Sequence, residues 1–370
     1  MIGTKPLLLL LLLIAMCAGS AGQEWPLWKS YASSFMDNQI RVIDRDAGDR
    51  TTSEAQAYAM FFALVANDRA RFDGLLRWTE TNLASGDLNA HLPAWLWGKG
   101  PKKNWGVLDS NPASDADLWL AYTLIEAGKA WNEPRYSSLG TTVAKHIADQ
   151  EVAEIHSLGT MLLPAPKGFH RGDSYRLNAS YVPLQLLLRL AQELPDGPWQ
   201  RIAAAVPALV SSSAPHGFAT DWIEYKAGGN PMPSAIGSYD AIRVYLWAGM
   251  LDPATPGRDL LLNQLSAMTR YLHANPVPPE KVKQDGTIPS PKGPVGFSPA
   301  VLPFLSAAGE KDLENQQMSR VKSEFNPNTG LYGKPPKYYD QNLCLFALGW
   351  RDRQFWFDSR GNLQLSWKRD

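Results

Sequence analysis

The chain has 370 residues, of which 36 are basic and 36 acidic, so its formal net charge is zero. This balance argues against the basic surface of nucleic-acid-binding proteins and the polybasic patch of membrane-surface proteins, and it favours a neutral partner. Hydrophobic residues make up 45% of the chain, which is enough for a large core. The 14 Trp residues outnumber the 12 Phe residues. Trp side chains either fill the core or provide flat binding platforms, and composition leaves both uses open.

The first 21 residues have the pattern of a secretory signal peptide. Lys5 supplies the positive charge, residues 7–15 form an apolar run, and residues 19–21 offer small side chains for cleavage. The apolar run is too short to span a bilayer, so we expect no stable membrane insertion and a periplasmic or secreted protein. Residues 22–370 then form a single domain, in which Cys344 has no partner for an intramolecular disulfide.

Two kinds of helical segment alternate along the rest of the chain. Amphipathic segments are predicted at residues 28–40, 68–84, 134–152, 197–211, 256–274 and 309–324. More apolar segments lie between them, at residues 53–66, 115–130, 180–192, 238–250, 297–307 and 338–350. Because only the outer of two concentric helical layers meets water, this alternation predicts an all-α fold, an (α/α)6 barrel.

A minor β component interrupts the helices. Residues 354–357 and 362–365 flank a Ser-Arg-Gly turn and predict a β-hairpin near the C-terminus. A second strand pair is expected within residues 155–170. Residues 86–112, with three Trp residues among Lys, Gly and Pro, are predicted to form a long loop, and loops of this length are usually functional.

Two of the apolar segments begin with the same polar pattern. Ser53 and Ser114 are each followed three residues later by a side-chain acceptor, Gln56 and Asp117 respectively. This spacing predicts that the Ser is the N-cap and that the acceptor occupies the third helical position. We therefore expect helices to begin directly after Ser53 and Ser114.

Acidic residues stand in the first turns of three apolar helices: Glu54, Asp115 and Asp240. Any one of them is explained by the partial positive charge of a helix N-terminus, which favours carboxylates. The helices behind them are apolar on nearly all faces, however, so the three acids are expected at the mouth of the core rather than on a wet rim. Three acids in that position favour acid–base chemistry.

Several chemistries lack the residues that they need. The six His residues include no His-Glu-x-x-His pair, and the sequence has no closely spaced Cys pair, so no metal site is predicted. A Gly-x-Ser-x-Gly elbow and a phosphate-binding Gly loop are also absent from the sequence, which removes support for serine hydrolysis and nucleotide cofactors. We therefore expect no cofactor. Carboxylates and aromatic side chains remain, and this is the set of groups that hydrolyses glycosidic bonds.

Residues 113–131, with the sequence ASDADLWLAYTLIEAGKAW, resemble the signature of glycoside hydrolase family 8. Residues 52–54 and 239–243 match two other sequence blocks of that family. Four further segments resemble one subgroup, the exported endo-1,4-β-glucanases encoded beside bacterial cellulose synthase: residues 41–44, 92–98, 108–111 and 293–297. The resemblance spans nearly the whole of residues 22–370.

The resemblance implies an (α/α)6 barrel with an open cleft, and hydrolysis with inversion at the anomeric carbon. Glu54 matches the general acid of the family, Asp240 the general base of its β-1,4-glucanases, and Asp115 a third acid that holds a distorted sugar. The implied partner is a β-1,4-glucan chain (cellulose), cut at internal bonds, with a functional association with a cellulose synthase complex. Two alternatives stay open: hydrolysis of mixed-linkage glucan, xylan or chitosan by the same fold, and a glucan-binding assembly factor.

A general acid must stay protonated near neutral pH, whereas the start of a helix lowers the pKa of a carboxyl such as that of Glu54. Desolvation by Tyr58 and repulsion from an ionised Asp115 are expected to outweigh the helix and to raise this pKa. The sequence therefore predicts that the acid is protonated because of its surroundings in the fold.

Six residues are candidates for substrate binding: Trp95, Tyr58, Tyr239, Arg243, Tyr181 and Tyr339. Trp95, in the predicted loop, is the first candidate for a sugar platform, ahead of its neighbour Trp97. Arg243 has the helical spacing to orient Asp240, although a structural salt bridge explains that spacing equally well. The Tyr residues at the starts of two inner helices either line the mouth of the barrel or pack in its core.

Overall fold

The computed structural model describes residues 25–38 and 40–368, so the predicted signal peptide at residues 1–21 lies outside the described residues. Thirteen α-helices of these residues form two layers. The outer layer contains α1 (Pro26–Phe35), α3 (Arg69–Leu83), α5 (Pro134–Gln150), α7 (Trp199–Ser213), α9 (Arg258–Gln264), α10 (Ala267–Ala274) and α12 (Lys311–Ser323). The inner layer contains α2 (Ser53–Val65), α4 (Ser114–Ala130), α6 (Leu184–Glu193), α8 (Ala241–Gly249), α11 (Phe297–Ala307) and α13 (Tyr338–Arg351).

The alternation of amphipathic and apolar segments predicted these layers correctly. Each apolar segment forms an inner helix and each amphipathic segment an outer one, with the fifth outer segment divided into α9 and α10. In the inner α4, every residue from Ser114 to Gly128 is buried, whereas the outer α12 buries only Leu313, Gln317 and Val321. The predicted (α/α)6 barrel is confirmed.

The inner helices form a closed ring around the core. In chain order each packs on the next, from α2 through α4, α6, α8 and α11 to α13. The first and last of them meet through aromatic rings, since the centroid of Phe346 lies 4.9 Å from that of Tyr58 and 5.5 Å from that of Phe61. Across the ring, Trp119 and Trp247 are in contact at 5.3 Å between ring centroids. The barrel is therefore a packed core and not a pore.

The prediction that Ser53 and Ser114 are N-caps is wrong by one residue. Ser53 is the first residue of α2, and its N-cap is Thr52, whose side chain accepts a hydrogen bond from the Ala55 amide. Thr52 is held extended by strand pairing, which is the conformation an N-cap requires. Helix α4 likewise begins at Ser114, and its N-cap residue makes no side-chain hydrogen bond. Gln56 makes another contact instead, accepting from the Val42 amide at 2.8 Å.

The predicted long loop at residues 86–112 contains a β-hairpin, so that prediction is wrong in part. Strands β1 (Thr51–Thr52), β2 (Leu96–Lys99) and β3 (Trp105–Asp109) form an antiparallel sheet in that order. Gly, Pro and Lys residues that suggested a loop form the turn at residues 100–104, and the flanking residues pair with a register shift between Leu96 and Trp97. The sheet joins the start of α2 to the segment that carries the Trp residues.

The remaining strands form short antiparallel pairs and one sheet of four strands. The pair β4 (Val152–Ile155) and β5 (Gly159–Leu162) begins before the predicted range of 155–170. Strands β6 (His170–Arg171), β7 (Ser174–Leu177), β8 (Ile223–Lys226) and β9 (Met232–Pro233) form the four-stranded sheet. Two short pairs are β10 (Ile236–Gly237) with β11 (Val282–Lys283), and β12 (Phe325–Asn326) with β13 (Leu331–Tyr332).

The predicted C-terminal hairpin is confirmed as β14 (Phe355–Phe357) and β15 (Leu363–Leu365). It covers the C-terminal ends of the inner helices. The Tyr122 hydroxyl donates to the Gly361 carbonyl, and the Leu363 amide donates to Glu126 of α4 at 2.9 Å. The Trp367 indole N–H donates to the Leu64 carbonyl at the end of α2. The candidate acids lie at the opposite end of the barrel, where the inner helices begin.

Among the described residues, no helix is both long enough and apolar enough to cross a membrane.

Candidate active site

One guanidinium group joins the three candidate acids. Nη1 of Arg243 lies 2.5 Å from Oε2 of Glu54 and 3.0 Å from Oδ2 of Asp115, and Nη2 donates to Oδ1 of Asp240 at 2.7 Å. Nη1 also lies 2.9 Å from the hydroxyl oxygen of Tyr58. The fold therefore brings together residues from α2, α4 and α8, whose N-terminal ends lie at the same end of the barrel.

The position of each acid follows from how its helix begins. Glu54 and Asp115 are the second residues of α2 and α4, and Asp240 is the N-cap residue of α8. Side chains at the first turn of an inner helix project at the mouth of the barrel, because the apolar residues that follow are buried in the ring. Arg243 comes one helical turn after Asp240, on the inner wall of the barrel. Its side chain extends across the mouth to Glu54 and Asp115.

Burial divides the four charged groups into two classes. The side chains of Arg243 and Asp115 are 3% and 5% exposed, whereas those of Glu54 and Asp240 are 21% and 28% exposed. A guanidinium stays protonated in proteins, so Arg243 is a permanent positive charge beneath the site. The two more exposed carboxyl groups face the mouth, where a ligand has access to them.

Burial keeps a large fraction of the Glu54 carboxyl groups protonated near neutral pH. Burial raises the pKa of Glu54 to about 7, although the charge of Arg243 opposes this rise and the carboxylates of Asp115 and Asp240 add to it. Burial also raises the pKa of Asp115, against the lowering effect of Arg243. A carboxyl group with a pKa near 7 retains a proton that it can donate to a reacting oxygen.

Three Tyr residues surround Arg243 and Asp240 at the mouth. The Tyr181 ring centroid lies 5.6 Å from Cζ of Arg243, a cation–π contact. Tyr239 is 44% exposed, and its carbonyl accepts a hydrogen bond from the Tyr339 hydroxyl. Tyr58, in contrast, is only 2% exposed and lies beneath Arg243. Tyr181, Tyr239 and Tyr339 therefore lie at the site, and Tyr58 supports it from the core side.

The structure also places the two Trp candidates. Trp95 is half-buried, and its carbonyl accepts from the Ser53 amide at 3.0 Å, so it lies directly beside the start of α2. Trp97 instead packs on Trp78 of the outer α3, at 5.3 Å between ring centroids, and stacks on Trp105. Trp95, which directly precedes β2, is thus the one of the two whose backbone contacts the start of α2, next to Glu54.

The sequence model of glycosyl hydrolases family 8 matches residues 6–353. The chain belongs to glycosyl hydrolase family 8. It is 41% identical to an endoglucanase of Escherichia coli K12 over 362 residues, 96% of this chain and 95% of that protein. An endoglucanase of Xanthomonas axonopodis pv. citri is 42% identical over 358 residues, 96% of this chain and 92% of that protein. The crystal structure of an endo-1,4-D-glucanase from Vibrio fischeri ES114 shares 39% identity, covers 94% of this chain and 100% of that chain, and superposes with a TM-score of 0.83.

This family 8 glycoside hydrolase has two further residues at the site that the sequence did not point to. Oδ1 of Asp221 accepts hydrogen bonds from the amides of Ser238 and Ala241, on both sides of Asp240. Trp222 stacks on Phe169, with ring centroids 5.6 Å apart, and lies 6.0 Å from the Tyr181 ring. Neither residue begins a helix or carries a motif, so no local pattern could have indicated them.

Among residues 25–38 and 40–368, no group of three or more His, Cys, Asp and Glu side chains is arranged to hold a metal ion.

Proposed function

We propose that this family 8 glycoside hydrolase is an endo-1,4-β-glucanase that cuts internal bonds of cellulose with inversion at the anomeric carbon. Two relatives that are more than 40% identical over most of the chain are endoglucanases, and a similar solved structure is an endo-1,4-D-glucanase. These relationships support the substrate class, and the geometry of the acids supports the reaction.

The observation that carries the proposal is that Glu54 and Asp240 bind different nitrogens of one guanidinium group. Inverting glycosidases hold two carboxyl groups about 6.5–9.5 Å apart, with room for a water molecule. Arg243 binds Glu54 through one terminal nitrogen and Asp240 through the other, which supports a pair of acids placed on two sides of one substrate. Glu54, with a pKa of about 7, suits the general acid, and Asp240, the most exposed of the acids, suits the general base.

In the proposed reaction, the protonated carboxyl group of Glu54 donates its proton to the glycosidic oxygen as the bond to C1 breaks. Asp240 accepts a proton from a water molecule whose oxygen attacks C1 from the opposite face. Arg243 fixes the direction of both carboxyl groups. Asp115, buried and bonded to the same guanidinium, is placed to hold the sugar that is distorted at the point of cleavage.

Binding of a neutral glucan is assigned to the aromatic side chains at the mouth. Trp95 lies beside the helix that carries Glu54, and Tyr181 and Tyr239 lie beside Arg243 and Asp240. Flat rings on both sides of the acids suit the apolar faces of consecutive glucose units on both sides of the scissile bond.

We propose further that the enzyme is exported, acts in the periplasm or outside the cell, and works together with a cellulose synthase. The predicted signal peptide supports export, and the resemblance of the sequence to glucanases encoded beside cellulose synthase supports the association. An enzyme of this kind would cut glucan chains as they are made.

The decisive experiment measures cleavage of a soluble cellulose derivative by viscometry, and the anomeric form of the first product by NMR. We expect a rapid loss of viscosity and initial release of the α-anomer. Glu54→Gln and Asp240→Asn should each lower kcat by about 10²–10⁴-fold, because each removes one proton-transfer step. Glu314→Gln, on the outer helix α12, is the matched control and should keep full activity.

Retention of activity in Glu54→Gln would refute the assigned acid, and initial release of the β-anomer would refute inversion. A panel of mixed-linkage glucan, xylan and chitosan tests the substrate, because faster cleavage of any of these would replace cellulose in the proposal. Binding of cellulose without cleavage would instead indicate the glucan-binding assembly factor.

A further inference from the structure

The first turn of α8 is capped in an unusual way. Asp is one of the preferred N-cap residues, because its carboxylate accepts hydrogen bonds from the free amides of the first turn. Asp240 is the N-cap residue of α8, yet its side chain caps nothing and binds Arg243 instead. The amides of this turn are satisfied by other groups.

Asp221, from another part of the chain, accepts hydrogen bonds from two of the amides around Asp240. Its Oδ1 atom accepts from the Ala241 amide at 2.9 Å and from the Ser238 amide at 2.7 Å. The two following amides, of Ile242 and Arg243, bond to backbone carbonyls. Every amide next to Asp240 in the first turn thus has a partner other than the Asp240 carboxylate.

Asp221 is itself fixed in place. Its amide donates to the Ile236 carbonyl at 3.1 Å, and the preceding Thr220 is bonded through amide and hydroxyl to the Ser213 carbonyl at the end of α7. The Ser238 hydroxyl donates to the Glu280 carbonyl at 2.6 Å, which anchors the other side of the turn. Asp221 and its neighbours therefore connect α7, the strands that follow it and the start of α8.

We propose that Asp221 is a positioning residue that holds the backbone on both sides of Asp240, and so keeps the Asp240 carboxylate directed at the substrate and its attacking water. The inference rests on the proposed function, since it assumes that Asp240 is the general base. Without Asp221, the amides of Ser238 and Ala241 lose their acceptor, so the turn that carries Asp240 is no longer held and its carboxylate shifts. A base that is displaced from the attacking water takes a proton from it less efficiently.

The experiment compares Asp221→Ala with Asp221→Asn. The Asn side chain keeps an oxygen that can accept both amide hydrogen bonds, whereas Ala has none. We expect Asp221→Ala to lower kcat about 10- to 100-fold with little change in KM, because a small misplacement of a reacting group has an effect of this size. Asp221→Asn should restore kcat to within a few-fold of the wild type.

A second comparison separates positioning from general damage to the fold. Asp221→Ala, introduced into Asp240→Asn, should cause no further loss of the residual activity, because a residue that acts through Asp240 has nothing left to position. Asp68→Ala is the matched control, since Asp68 caps the outer helix α3 through the Arg71 amide. It should lower the melting temperature and leave kcat unchanged.

The proposal is overturned if Asp221→Ala keeps the wild-type kcat, if Asp221→Asn is as inactive as Asp221→Ala, or if the losses in the double variant multiply. An active Asp240→Asn enzyme would be a different failure, because it would refute the role of Asp240 in the proposed function. An inactive Asp240→Asn enzyme combined with a normal Asp221→Ala enzyme would refute the positioning role alone.

Discussion

Nη1 of Arg243 lies 2.5 Å from Oε2 of Glu54, although 189 positions separate the two residues in the chain. The contact spans the mouth of the barrel, from the wall formed by α8 to the wall formed by α2. The same guanidinium binds Asp240 through its other terminal nitrogen. A single side chain thus sets the positions of both carboxyl groups of the proposed acid–base pair.

Arg243→Lys should therefore lower kcat by about 100-fold or more. An ammonium group is a single point of charge and cannot hold two carboxyl groups at the fixed separation of a planar fork. The measurement is kcat on a soluble cellulose derivative, with Arg351→Lys on the exposed surface as the control. A fully active Arg243→Lys enzyme would show that charge alone is sufficient at this position.

The pH dependence of the wild-type enzyme should show loss of kcat/KM as the pH rises through about 7. Glu54 must carry a proton to act as the acid, and its pKa of about 7 sets the point at which that proton is lost. In Arg243→Met the same limb should move to higher pH, because the charge that opposes the rise of this pKa is removed. An unchanged kcat/KM up to pH 9 would contradict the assignment.

Glu54→Gln should be more stable than the wild type at pH 8 and equally stable at pH 4. The pKa of Glu54 is raised from 4.5 to about 7 in the folded protein, so the folded state holds this proton more tightly than the unfolded state. Stability is then lost as the pH rises through the window between these two values, and Gln avoids the loss. We expect a gain of about 1–3 kcal/mol at pH 8.

Urea unfolding of both proteins at the two pH values measures this difference. An equal stability of wild type and Glu54→Gln at pH 8 would mean that folding does not raise the pKa of Glu54.

Gly140→Ala should destabilise the protein by about 1–3 kcal/mol. A Cβ atom at Gly140 would lie 2.8 Å from the Ala121 carbonyl oxygen and 2.9 Å from the Ile125 side chain, so α4 and α5 would have to separate. Gly106→Ala is the control, because a Cβ atom there meets nothing within 4 Å. Thermal unfolding of both variants measures the contrast, and equal melting temperatures would show that the helix pair adjusts easily.

The sequence predicted the layers of the barrel because burial leaves a direct mark on composition. An inner helix such as α4 is apolar all round, and an outer one such as α12 is apolar on one stripe. The sequence does not reveal the hairpin of β2 and β3, because its turn holds the loop-forming residues, while its pairing with β1 depends on Thr51 and Thr52, more than 40 positions earlier. It does not reveal the N-cap of α2 for the same reason, since strand pairing determines where the helix starts.

The residues of the candidate site also differ in how far the sequence could predict them. Glu54, Asp115 and Asp240 were predictable because each stands at the start of an apolar helix, and helix starts are visible in the sequence. That one guanidinium joins all three was not predictable, because the spacing within α8 relates Arg243 only to Asp240. Asp221 lies outside any helix, and its contacts with Ser238 and Ala241 exist only in the folded chain.

The C-terminal hairpin has a consequence for the order in which the protein matures. It follows all six inner helices in the chain. Its residues bond Tyr122 and Glu126 at the end of the barrel opposite the candidate acids. A growing chain therefore cannot form the hydrogen bonds that close this end of the barrel until the residues that follow α13 have been made.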